Sequence, residues 1–144
     1  MEIVGKGIAT EYIKKLPTSP RWFCAIAKKN YLRMGKVLIS SNILKSRHIP
    51  TLEILAVEMA QFEFAVKAIN TANRKKKGSG YIQIFSTGAK NISVEVSLKE
   101  KAEKQMFLCL RRFGLDPKSE KELDASEDPN QTNLLEALLG KKSM

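Results

Sequence analysis

Apolar residues recur every three or four positions in three segments of the chain, and each segment predicts one amphipathic helix. The first helix is predicted to begin at Ser19 and Pro20, because serine caps backbone N–H groups and proline suits the first helical position. Its apolar stripe continues to Leu38, and we expect Trp22 to pack in the core at its start. The opposite surface is predicted to be basic through Arg21, Lys28, Lys29, Arg33 and Lys36.

The second helix is predicted from Leu52 to about Asn73, after a proline and a threonine that suit a helix start. Apolar residues spread around most of its circumference, which is typical of a helix that is covered on several sides. A domain of this size has few other helices to cover it, so burial against copies of the same chain is predicted. The residues predicted at this contact are Leu55, Met59, Phe62, Val66 and Ile69.

A run of cations ends the second helix and is followed by Gly78 and Gly80, which release the chain. The run could be a solvated helix end or a phosphate-binding cluster, and the sequence leaves both interpretations open. As a candidate DNA-binding cluster it consists of Arg74, Lys75, Lys76 and Lys77.

Residues 81–85 and 92–96 alternate in strand fashion around a turn that contains Gly88, which predicts a β-hairpin. An isolated hairpin is marginal in water, so it should pack on the helices or on a neighbouring subunit. The third helix is predicted to begin at a capping box from Ser97 to Glu100. It should end at Gly114, in a Schellman motif.

The charge distribution divides the chain into a basic body and an acidic tail. Residues 1–115 have 21 Lys and Arg against 8 Asp and Glu, a balance of +13, whereas residues 116–144 have 4 against 7, a balance of −3. The predicted organisation is a flexible basic arm over 1–17, a helical DNA-associated and oligomerisation domain over 18–115, and an acidic tail over 116–144. A basic surplus of this size favours a polyanionic partner, and we favour nucleic acid over a merely solubilising role.

The tail is predicted to be a flexible acidic linker over 116–133, followed by a short capped helix over 133–140. This helix is too short to be stable alone and needs a partner surface. The partner could be another protein or the chain's own domain. The candidate docking residues are Leu134, Leu135, Leu138 and Leu139.

The sequence lacks the usual signatures of catalytic chemistry. Neither glycine pair has the spacing of a Walker phosphate loop, and the carboxylates of the body do not form a metal-binding pattern. With one histidine, His48, a Cys/His zinc site is not expected, and Cys24 and Cys109 are predicted to be two buried thiols without a disulfide. We therefore expect a protein that is not an enzyme, has no cofactor, crosses no membrane and stays in the cytosol.

The order of these elements resembles the small terminase subunits of tailed phages over roughly residues 18–119. The shared features are a Trp-bearing helix, a long second helix, a glycine-containing interruption and a final helix that closes with Gly-Leu-Asp-Pro-Lys-Ser. The residue before that proline is Asp116, where the family often has threonine, and Glu120 stands where an arginine often follows the serine. The resemblance supports a mainly α fold with a helical hairpin core, a β-hairpin insertion, an N-terminal basic helix and a flexible acidic C-terminal tail.

The resemblance implies a ring-forming homo-oligomer, larger than a dimer, that binds double-stranded viral DNA in the host cytoplasm. Such a protein presents DNA to the large terminase subunit and regulates its ATPase and nuclease. Two other functions stay open at this point. One is a dimeric helix-turn-helix-type regulator, although neither helix junction leads into a recognition helix rich in Arg, Asn and Gln. The other is a structural phage head-assembly adaptor whose basic surface lines a DNA passage.

Overall fold

Three α-helices, one short 3-10 helix and a β-hairpin form the regular structure of residues 11–115, which are the part of the chain that the computed structural model describes. In chain order the elements are α1 Ala25–Ser40, a 3-10 helix Ser46–His48, α2 Ile49–Lys75, β1 Ile82–Ile84, β2 Lys90–Ile92 and α3 Val94–Arg112. This arrangement confirms the predicted mainly helical fold with a β-hairpin insertion. The predicted tail helix over 133–140 lies outside the described residues.

The long helix α2 packs against both other helices, and most extensively against α3. Apolar side chains from all three helices and from the connector after α1 form one core. A fully buried leucine stabilises a fold by about 1.5–3 kcal/mol. Burial of these core residues therefore determines which side of each helix faces solvent. The core consists of Tyr31, Met34, Leu38, Leu44, Leu52, Leu55, Ala56, Cys109, Leu110, Phe113 and Leu115.

The start of α1 differs from the prediction. The helix begins at Ala25, and Cys24 is its N-cap, with the Sγ atom accepting a hydrogen bond of 3.4 Å from the Ala27 N–H. The ring of Phe23 lies 5.7 Å from that of Tyr31 and packs against the core, so Trp22 stays outside with 70% of its surface exposed. The predictions of a buried Trp22 and a buried Cys24 are therefore wrong, whereas Cys109 is buried.

The start of α3 also differs, by four residues. Ser93 is the N-cap, because its Oγ accepts a hydrogen bond of 3.2 Å from the Val96 N–H. The same hydroxyl donates a hydrogen bond of 2.7 Å to the Gly80 carbonyl, whereas Ser97 is exposed. The predicted capping box at 97–100 and the strand over 92–96 are therefore wrong, since the hairpin ends at Ile92 and the helix follows at once.

We expect Ser93→Ala to lower the free energy of unfolding by about 2–3 kcal/mol, because it removes an N-cap and leaves the buried Gly80 carbonyl unsatisfied. Chemical denaturation followed by circular dichroism would measure the loss. Ser97→Ala is the matched control and should change stability by no more than about 0.5 kcal/mol. Equal losses in the two variants would contradict the structural assignment of the cap.

The end of α3 follows the prediction. Gly114 has a φ of 77°, in the left-handed region that glycine adopts without strain. Its N–H donates to the Arg111 carbonyl at 2.8 Å, and the Leu115 N–H donates to the Leu110 carbonyl at 3.0 Å. These two bonds form the predicted Schellman motif, which returns the Leu115 side chain to the core.

The segment before α1 is attached to the helical body. The Ile13 N–H donates a hydrogen bond of 2.8 Å to the Leu44 carbonyl, and the Tyr31 hydroxyl donates one of 3.0 Å to the Pro17 carbonyl. Residues 13–17 of the predicted flexible arm are therefore fixed against the connector and α1.

Candidate nucleic-acid interface

The outward face of α1 carries four cations, with the exposed Leu32 among them. Its inward face is held by buried residues at helical spacing, from Ala27 to Leu38, and by the Asn30 side-chain amide, which donates 3.3 Å to the Ala56 carbonyl. This packing turns the opposite side of the helix to solvent, and α1 contains no acidic residue. The basic face of α1 is formed by Lys28, Lys29, Arg33 and Lys36, all of them exposed.

The chain around this face is also free of acidic residues. Between Tyr12 and Leu52 there are nine Lys and Arg and no Asp or Glu. Arg21 is exposed just before α1, beside the exposed indole of Trp22. Every carboxylate that could neutralise the basic face must therefore come from another part of the chain.

One such carboxylate is Glu63 on α2. It accepts a hydrogen bond from Lys67, with Oε2 and Nζ 2.7 Å apart, and this bond holds the pKa of Glu63 below its usual value. The positive charges of Lys29 and Arg33 lower the pKa of Glu63 further. Because Glu63 is already paired with Lys67, the face keeps a surplus of positive charge.

A second basic cluster lies where α2 ends. Arg74 and Lys75 occupy the last turn of the helix, and the loop that follows is fixed by the Gly80 N–H, which donates 2.7 Å to the Asn73 side-chain oxygen. The return strand of the hairpin brings Lys90 to this loop. Lys90 was missed in the sequence because it lies 13 residues beyond Lys77, and only the hairpin register brings the two together. The cleft between them has a volume of about 430 Å³ and is lined by Lys76, Lys77, Gly78, Ser79, Ile82, Gln83, Ile84 and Lys90.

The two basic regions lie at the same end of the helical body. Ile26, in the first turn of α1, lines one groove with Lys75 and Ser79 from the end of α2. The predicted cations of the first helix and of the Arg74 to Lys77 run are therefore exposed on neighbouring surfaces. A polyanion longer than one helix could span both.

The predicted self-association residues of α2 lie on the side that packs within the chain. Leu55 and Ile69 are 1% and 4% exposed, and Met59, Phe62 and Val66 are half-buried. The Nζ of Lys99 on α3 lies 5.8 Å from the centre of the Phe62 ring. This stripe is therefore largely used for packing inside the subunit.

A different stripe of α2 is largely exposed, with four of its six residues exposed and two half-buried. Its positions are three and four residues apart in turn, which is the spacing of a coiled-coil seam, and none of them is charged. Phe64 is 64% exposed and Ile54 is 47% exposed. The outer stripe of α2 consists of Ile54, Val57, Gln61, Phe64, Ala68 and Thr71.

His48, the single histidine of the chain, has a structural role. The Nδ1 of His48 accepts a hydrogen bond of 3.1 Å from the Lys45 N–H, and the imidazole packs edge-on against Phe113. Burial lowers the pKa of His48, with a smaller contribution from the nearby Arg47. Within residues 11–115 there is no group of three His, Cys, Asp or Glu that could hold a metal ion.

Two further predictions concern membranes and the tail. None of the helices within residues 11–115 has the length and the apolar character needed to span a membrane. The candidate docking leucines of the tail, Leu134, Leu135, Leu138 and Leu139, lie outside the described residues.

Comparison with known proteins gives the family. Residues 27–130 match the model of the family described as phage terminase, small subunit. Neither the curated proteins nor the solved structures gave a match. The family match includes most of α1, all of α2, the hairpin and α3, and it confirms the resemblance seen in the sequence. The chain belongs to the family of phage terminase small subunits.

Proposed function

We propose that this protein binds double-stranded viral DNA as a homo-oligomer larger than a dimer, and regulates the large terminase subunit during genome packaging. Its family supports a role in phage packaging, and small subunits of this family are in general non-catalytic. The observation that supports DNA binding most strongly is the basic face of α1, which lies in a segment without acidic residues. The protein would act in the cytoplasm of the infected host cell.

The composition of this face favours contact with phosphates over reading of bases. Lys28 and Lys36 are about 12 Å apart along the helix axis, at a rise of about 1.5 Å per residue. Lysine and arginine at this spacing can pair with successive phosphates and release counterions. Asparagine and glutamine, which pair with adenine, do not occur on the exposed side of α1, because Asn30 is buried. Binding with little sequence preference suits a packaging subunit better than a helix-turn-helix regulator.

The outer stripe of α2 is the surface that we propose for self-association. It presents Ile54 and Phe64 to solvent in a helix whose other sides are covered by α1 and α3. An uncharged stripe with coiled-coil spacing packs favourably against a helix of a second copy. If the copy presents a different face, the contact is head-to-tail, and it forms a ring when the rotation between copies closes.

For the tail we propose that the leucines at 134, 135, 138 and 139 dock on the large terminase subunit, with the acidic linker as a tether. A flexible linker supplies reach, and a short amphipathic helix supplies apolar anchors for a partner groove. The other possibility is that this segment packs on its own ring.

Truncation after Asp124 is expected to abolish stimulation of the large subunit's ATPase while DNA binding is retained and the oligomer mass stays unchanged. The reason is that the anchors are removed while α1 and α2 are intact. A purified large subunit, assayed with DNA and with each form of this protein, gives the measurement. The matched control is the full-length variant with serine at Leu134, Leu135, Leu138 and Leu139, which should behave like the truncation. Loss of the oligomer on truncation would contradict docking and assign the segment to the ring.

A further inference from the structure

The acidic residues of this protein are concentrated directly after its last described helix. Residues 116–128 contain six Asp and Glu and two Lys, a balance of −4, immediately beyond Leu115. Their complement within the same chain is the acid-free segment from Tyr12 to Leu52, with its nine cations. Opposite charges on one chain have a high effective concentration for each other, because the linker cannot diffuse away.

The acidic segment starts near the connector that follows α1. The side chain of Leu115 is in the core with Leu38 from the last turns of α1 and Leu44 from the connector. The ring of Phe113 also packs on His48, which ends that connector. The chain therefore leaves the body near the connector that joins α1 to α2, and Lys36 lies about one turn before the start of that connector.

The acidic segment is long enough to cover the basic face. Extended chain advances about 3.3 Å per residue, so 12 steps from Asp116 to Asp128 reach about 40 Å. The 16 residues of α1 span about 24 Å at a rise of about 1.5 Å per residue. The contour length of segment 116–128 is therefore sufficient to reach along the basic face from Lys36 to Lys28.

We infer that segment 116–128 docks on the basic face of α1 of the same chain and competes there with DNA. The inference rests on the proposed role of that face in DNA binding. Carboxylates of the segment would take the places of phosphates, so DNA must displace the segment before it binds. If the segment is docked nine-tenths of the time, the apparent affinity for DNA falls about tenfold.

Docking can be measured without DNA by energy transfer from Trp22, which is the single tryptophan of the chain and is exposed beside α1. A dansyl acceptor is attached to a cysteine placed by Ser126→Cys in a Cys24→Ser background, where Cys109 is buried. Labelled chains are assembled with an excess of unlabelled Trp22→Phe chains, so that only transfer within one chain is seen. We expect strong transfer in low salt and its loss at high salt.

The charge partners of the segment are identified by two sets of reversals. The variant K28E/K29E/R33E should abolish the transfer, whereas the control R74E/K75E/K76E, with the same change in net charge, should leave it unchanged. Transfer that is weak in low salt, or that both variants reduce equally, would overturn the inference whatever the protein does with DNA.

Competition is tested on the full-length protein by neutralising the segment as E120Q/E122Q/D124N/E127Q/D128N. The affinity for a DNA duplex should rise about tenfold in the native background and in the R74E/K75E/K76E background, as expected for release of a segment that is docked nine-tenths of the time. In the K28E/K29E/R33E background, neutralising the segment should change the DNA affinity less than twofold, because the segment no longer docks on α1 there. An equal rise in all three backgrounds would show a general effect of net charge and overturn the inference. Absence of DNA binding in every form would refute the proposed function, while the transfer measurement would still decide docking.

Discussion

Phe64→Glu is expected to dissociate the oligomer into folded single chains. The Phe64 side chain is 64% exposed in the subunit, so a glutamate there remains hydrated and costs the fold little. In an assembled stripe the same carboxylate would be buried without a partner, which costs several kcal/mol per interface. Light scattering coupled to size exclusion would show the mass fall from that of the oligomer to that of one chain, with the helical circular dichroism retained.

Leu55→Glu distinguishes the two sides of α2. Leu55 is 1% exposed and belongs to the core, so the charged variant should unfold the chain rather than release folded subunits. An unchanged oligomer mass for Phe64→Glu would contradict the assignment of the outer stripe as the interface. Gln61→Ala, on the same stripe but without a charge, is the control that should keep the mass.

The variant K28E/K29E/R33E is expected to lower the affinity for double-stranded DNA on the order of a hundredfold, about 1 kcal/mol for each cation. The loss should be similar for unrelated sequences, because phosphate contacts carry no sequence information. The side chains are exposed, so the fold and the oligomer should be retained. Fluorescence anisotropy with labelled duplexes of several sequences would measure it.

The matched control for this variant is K101E/K104E/R112E, which reverses three exposed cations of α3 and changes the net charge equally. It should lower the affinity by much less, since these residues lie on a different helix from the basic face. Equal losses in the two variants would mean that total charge, and not the surface of α1, determines binding.

Local signals predicted those parts of the fold that depend only on neighbouring residues. The body of α2 and the Schellman motif at Gly114 follow from helical periodicity and from glycine's tolerance of a positive φ. The start of α3 could not be decided in the same way, because both Ser93 and Ser97 suit an N-cap. The choice is made by a contact between distant residues, the hydrogen bond from Ser93 to the Gly80 carbonyl.

The candidate sites show the same limit. The cations of α1 could be named from the sequence, because the stripe from Ala27 to Leu38 determines which side of that helix is exposed. In α2, apolar residues lie on nearly all sides of the helix. Which stripe is buried inside the subunit depends on where α1 and α3 pack, and the sequence alone does not give those positions. Trp22 was expected in the core because of its size, but Phe23 occupies that place.

The salt dependence of DNA affinity tests the central claim, that the basic face of α1 binds DNA phosphates, most directly. The measurement is the logarithm of the association constant for one duplex against the logarithm of salt concentration, for the native protein and for K28E/K29E/R33E. Each phosphate contact contributes about 0.9 to the slope, so the native protein should show a steep fall and the variant a slope smaller by about three. A native affinity that does not change with salt, or the same slope in both proteins, would contradict the claim.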